Sequence, residues 1–215
     1  MLHNCNITIK HILLVKMKTI KKIRKVYIAF AVFTLFSSTS VYAQKSGVFR
    51  TYSDYSVGKM EYGIDCATEK HKIILNDFLG KDFITVVHEG KRYDLKKNEI
   101  WGFQMCDDKV TRFHGKEHFL IQDKGVLWIY IQQKVQAGSP KTGGSKTNTT
   151  YYFSKDGNSE IKEFTLLNVK ATFPNNHVLH DAIDGQFKSD ASLYDYDEFH
   201  KHFKINHFLE SQGIK

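Results

Sequence analysis

The sequence predicts an α+β fold: a small antiparallel β-meander or partly closed barrel of about 7–9 strands, followed by two or three packed C-terminal helices. Three observations predict it. Short β-rich runs separated by tight-turn residues follow one another from residue 71 to residue 164, with no helical period between them. After Phe164 the apolar spacing changes to 3.6 residues per turn. Charge is confined at one end: all seven bases and none of the acids of residues 1–43 precede a body holding 24 bases against 23 acids. The formal charge of +8 therefore belongs to a leader. The body shows no basic excess of the kind a nucleic-acid face needs, so no nucleic-acid partner is expected.

The leader reads as an export signal. Lys18–Lys25 is a basic n-region, Val26–Phe36 an apolar run, and Ser37–Ala43 a small polar c-region. Val41 and Ala43 occupy the −3 and −1 places of a cleavage site, so cutting before Gln44 is expected. The apolar run is shorter than the roughly 20 residues that span a bilayer, so no stable membrane span is expected after cleavage. Met17 opens a signal of normal length, which leaves residues 1–16, with Cys5, as upstream extension. The expected location is periplasmic or secreted. An oxidising compartment makes the two remaining cysteines, Cys66 and Cys106, a candidate disulfide.

The domain is expected to run from 44 to 164 as the β-rich part, with 165–215 as a helical segment packed on the same domain. Residues 47–69 have no clear period and read as an irregular arm with one short strand. Residues 71–75, 83–88 and 91–95 read as strands, with Glu89-Gly90-Lys91 turning the last two. Ile100–Cys106 is the next, Asp107-Asp108 turns it, and Val110–His114 answers. Glu117–Gln122 and Val126–Gln133 flank an Asp123-Lys124-Gly125 turn. Residues 136–149, rich in Gly, Ser, Thr and Lys, read as a flexible loop. Thr150–Ser154 and Ser159–Phe164 complete the strands. Thr165 caps a helix over Leu166–Phe173, and Asn175 or Asn176 caps another reaching Phe187, with Val178, Leu179, Ala182, Ile183 and Phe187 on one face. Ser189 or Asp190 opens a last helix to Gln212, its stripe formed by Leu193, Tyr196, Phe199 and Phe203.

Gly47–Tyr55, Lys97–Phe103, Phe173–His177, Tyr196–Lys201 and Lys204–His207 together resemble a group of small exported proteins of Bacteroidota. The resemblance spans most of the body. It implies a Gram-negative envelope setting and carries no catalytic residues to transfer.

Familiar chemical motifs fail on inspection. Gly138–Gly143 has phosphate-loop spacing, but Gly144 stands where the motif needs Lys, and a strand follows. Asp195-Tyr-Asp197 lacks the later ligand and the Gly of a calcium loop. No G-x-S-x-G or H-E-x-x-H occurs. Two groupings remain. His177, His180, Asp181 and Asp184 fall on one side of the second helix, where i,i+4 His–Asp pairs approach one divalent metal. Trp101 beside Gly102 is a candidate binding surface. His200 and His207, on a continuous helix, stand about 10.5 Å apart along the axis and share no ion; His202 faces elsewhere. No cofactor is predicted beyond that metal. The expected function is an exported cell-envelope protein, a non-enzymatic binding or structural module whose partner is an envelope protein or small ligand. The alternatives are a hydrolase with an unrecognised site or a metal-binding protein.

Overall fold

The computed structural model describes residues 44–69, 72–77, 80–136 and 146–214. The leader, Cys5 and the phosphate-loop-like Gly138–Gly143 lie outside the described residues. Strands β1 (Lys45–Phe49), β2 (Glu61–Asp65), β3 (Lys72–Ile74), β4 (Phe83–His88), β5 (Lys91–Lys96) and β6 (Gly102–Gln104) come first, with helix α1 (Tyr52–Ser56) between β1 and β2. Strands β7 (Val110–His114), β8 (Glu117–Lys124), β9 (Trp128–Gln136), β10 (Lys146–Ser154) and β11 (Lys162–Glu163) follow. Eight strands form one antiparallel sheet in the order β11-β10-β9-β8-β7-β6-β1-β2, and β3-β4-β5 form a separate sheet. From β6 to β11 the path is a plain meander. The large sheet does not close: β2 and β11 are its two open edges, so the barrel expectation gives way to an open sheet.

Strand alternation sorts the side chains. Leu120 pairs with Thr111 and Ile131, and Tyr151 pairs with Ile131, so Phe103, Phe113, Ile129 and Phe153 share one face. The two covers sit side by side on it. Under β3–β5, Ile84, Val86 and Leu95 pack with Val48, Phe103 and Phe113. Under the C-terminal segment, Leu127, Ile129 and Phe153 pack with Phe164, Leu179, Ile183, Leu193, Phe203 and Leu209. The helices thus share the sheet's core. The opposite face carries Arg112, Phe119, Tyr130 and Trp128.

Several elements depart from the sequence reading. Residues 47–69 are ordered: Thr51 accepts from Asp54 N and Asp54 from Thr51 N, a reciprocal cap that starts α1. Gln136 belongs to β9 and residues 146–149 to β10, where they pair with 133–136, so both ends of the expected 136–149 loop are strand; residues 137–145 lie outside the described residues. Asp123 and Lys124 are not a turn. They extend β8, and a bulge between Ile121 and Asp123 shifts its register. The hairpin at Glu89-Gly90 has both φ angles positive, 50° and 75°, as a two-residue turn of the inverse type requires.

The helical part begins as expected. Thr165 caps α2 (Leu166–Ala171) and Asn176 caps α3 (His177–Gln186). Leu179 and Ile183 are buried, but Val178 is exposed. The single last helix is wrong. Asp190–Tyr194 is a 3-10 turn, β12 (Tyr196–Asp197) pairs with β13 (His202–Phe203), and only α4 (Lys204–Ser211) is helical. Asp197 is the cause: its carboxylate accepts from Phe199 N, His200 N and His200 Nδ1, folding the chain back on itself. Lys201, with φ of 58°, completes the reversal. The expected stripe splits accordingly. Leu193 and Phe203 are buried, Tyr196 is partly exposed, and Phe199 is 88% exposed.

Candidate functional site

Where the two sheets meet, a cleft of about 680 Å³ opens. Its walls come from the β3–β4 connection, the residue after β5, and the starts of β8 and the end of β9. Lys97 is 2% exposed and donates to Asp77 Oδ1 at 2.7 Å. Its backbone N–H donates to Asp82 O at 2.8 Å, which anchors the one-turn helix that sets the lysine. His118 Nδ1 lies 3.5 Å from the other oxygen of Asp77. Buried Gln132 donates to Glu117 Oε2 at 2.6 Å, and Lys134 Nζ lies 3.6 Å from the same oxygen. Lys81 and Lys116 also line the cleft. The wall is thus a set of mutually oriented polar groups on rigid strands, able to present donors to a small ligand.

A second cleft, about 410 Å³, lies at the far end of β8 and includes Tyr55, Asp123, Lys124 and His202. The β8 bulge turns Asp123 toward the C-terminal segment. Its buried carboxylate accepts from His202 Nδ1 (2.8 Å), Phe203 N (2.9 Å) and Asn206 Nδ2 (3.0 Å). Asn206, fully buried, also accepts from Leu127 N and donates to Leu127 O. Gly125 makes room for it, since a Cβ there would meet the Asn206 side chain at 2.6 Å. His202 is therefore not a free surface residue. Its Nδ1 is fixed, and its Nε2 has no hydrogen-bond partner among the described residues. Across the cleft Lys124 Nζ donates to the Tyr55 hydroxyl at 3.0 Å.

The residues singled out in the sequence fall elsewhere. Trp101 is 7% exposed, and its indole N–H donates to Gly157 O at 2.7 Å. Tyr55 stacks on it at 4.3 Å, closing it under α1. Gly102 opens no groove: a Cβ there would collide with the Thr111 carbonyl of β7. Both belong to the core, which corrects the binding-surface expectation. His180 Nε2 approaches the carbonyls of Lys170 (3.0 Å) and Phe173 (2.8 Å), capping the end of α2, and Asp184 pairs with Lys170 at 2.8 Å. The structure does not gather His177, His180, Asp181 and Asp184 into one set. Among the described residues no three His, Cys, Asp or Glu side chains are placed to hold a metal. His200 and His207 are not 10.5 Å apart but stacked at 4.1 Å, because the hairpin replaces the helix on which that spacing rested.

Cys66 and Cys106 form a disulfide with Cα atoms 5.8 Å apart, joining the ends of β2 and β6. On the opposite face of the large sheet, buried Arg112 donates to the Tyr130 hydroxyl at 3.0 Å and to Ser159 O at 2.7 Å, while its Nε has no partner among the described residues. Burial pushes the Tyr130 hydroxyl's pKa up. No helix among the described residues is long and apolar enough to cross a membrane. The chain matches no family model, no curated protein and no solved structure.

Proposed function

We propose that the chain is an exported cell-envelope domain of the Bacteroidota type suggested by its sequence, cleaved before Gln44, that binds a ligand at the cleft between its two sheets. The observation that carries this reading is the cleft's wall. Lys97 and Gln132 are buried, oriented by carboxylates, and open onto a space of small-ligand size. The disulfide is compatible with an oxidising compartment. Isotope-labelled protein titrated with saccharide and peptide fractions of the native envelope tests the binding. Shifts clustered at Lys97, His118 and Gln132 are expected, and a cleft silent to every fraction rejects the reading. N-terminal sequencing of envelope-derived protein checks the export: the expected first residue is Gln44, and retention of residues 17–43 refutes the cleavage.

One observation favours a second reading, a hydrolase. His202 lines the second cleft and is held at Nδ1 by a buried carboxylate, the way a general base is oriented. His202→Gln separates the readings, since only a hydrolase loses turnover while ligand binding at the first cleft persists.

A further inference from the structure

The first cleft is unevenly charged. It is lined by Lys81, Lys97, Lys116 and Lys134 against Asp77 and Glu117. Two of the lysines are answered, Lys97 by Asp77 and Lys134 by Glu117. Lys81 and Lys116 have no carboxylate within 4 Å among the described residues. No acid outside them is available either, because every Asp and Glu of the chain lies in the described segments. Lys81 lies over the Phe83 ring at 5.1 Å, a contact that holds its position without neutralising it. The cleft therefore carries two uncompensated positive charges in a body whose overall balance is 24 bases to 23 acids. The remainder of the body is close to neutral, so the excess is local.

Like charges placed around a concave, partly desolvated wall raise the potential inside it and concentrate counter-ions there. The built-in carboxylates already answer buried Lys97 and exposed Lys134 and leave Lys81 and Lys116 open. A ligand that supplies two negative oxygens completes the set. Gln132 and His118 add hydrogen-bonding groups that an uncharged part of the same molecule can meet. Resting on the binding reading above, we infer that the cleft selects an acidic ligand, a small molecule bearing carboxylate or phosphate groups, with Lys81 and Lys116 as its charge contacts.

The test uses the mature chain and three probes: trigalacturonate for carboxylates, inorganic phosphate for phosphate, and galactotriose as the neutral saccharide. Binding is followed by amide shifts at the cleft. Trigalacturonate or phosphate should shift the cleft residues, and whichever binds alone names the group. Affinity should fall several-fold between about 20 and about 200 mM NaCl. Lys81→Glu and Lys116→Glu, both exposed, should each weaken it about tenfold or more with the backbone spectrum otherwise unchanged. Glu117→Gln should tighten it, a direction that mere structural damage does not produce. Galactotriose binding as well as the anions, insensitive to salt and to both lysine reversals, overturns the acidity and leaves the cleft reading standing. Silence toward both anions at about 10 mM also overturns it, and the envelope fractions then decide the cleft reading separately.

Discussion

Asp123 and Asn206 act on backbone groups that the fold would otherwise bury without partners. Phe203 N and both polar groups of Leu127 end on these two side chains. An unpaired buried donor or acceptor costs about 1–3 kcal/mol. Asn206→Ala should therefore lower stability by about 3 kcal/mol, read as a shift of the urea midpoint at constant slope. A loss under about 1 kcal/mol would show that water replaces the side chain. The two phenylalanines of β12–β13 make a sharper contrast. Phe203→Ala removes a buried ring from the core shared by helices and sheet and should cost about 3–5 kcal/mol. Phe199→Ala removes an exposed ring and should stay within about 0.5 kcal/mol. Equal midpoint shifts for the two variants contradict this burial pattern.

The elements show how far sequence periodicity reaches. The Glu89-Gly90 hairpin, the Thr165 and Asn176 caps and the burial of Leu179, Ile183 and Phe187 are legible, because each follows from residues within one or two turns of chain. The last segment was not. Leu193, Tyr196, Phe199 and Phe203 fit a 3.6 period, yet one local side chain, Asp197, reverses the chain between them. The clefts were hidden for a different reason. Lys97 and Gln132, or Asp123 and His202, meet only through strand pairing and the β8 bulge, which no spacing in the sequence reports. The Asp197 turn has its own signature. Its hydrogen bond from the His200 ring, with those from the backbone N–H groups, holds its pKa down to about 2, well below the ordinary carboxylate range. A depressed carboxylate pKa contributes stability that is complete above the unfolded value and lost as pH falls through the folded one. The β12–β13 tip should therefore loosen between about pH 4 and pH 2, seen as loss of the Phe199 and His200 amide positions in acid titration. Asp197→Asn should abolish that pH dependence.

At the scale of the molecule, an open eight-stranded sheet carries two separate covers on one face, and a single covalent tie secures one of them. Closing about 40 residues stabilises by about 4 kcal/mol in the chain-entropy account. Reduction of the protein should therefore lower the denaturant midpoint by about that energy while leaving the β9–β10 region with its helices the more protected in hydrogen exchange. The tie has a further consequence. Cys66 follows β2 and Cys106 follows β6, so the ring they close contains all three strands of the smaller sheet. A protease that cuts anywhere between residues 67 and 105 opens a ring and releases nothing. The nicked protein keeps its full mass on a non-reducing gel and separates into two pieces only when a thiol is added.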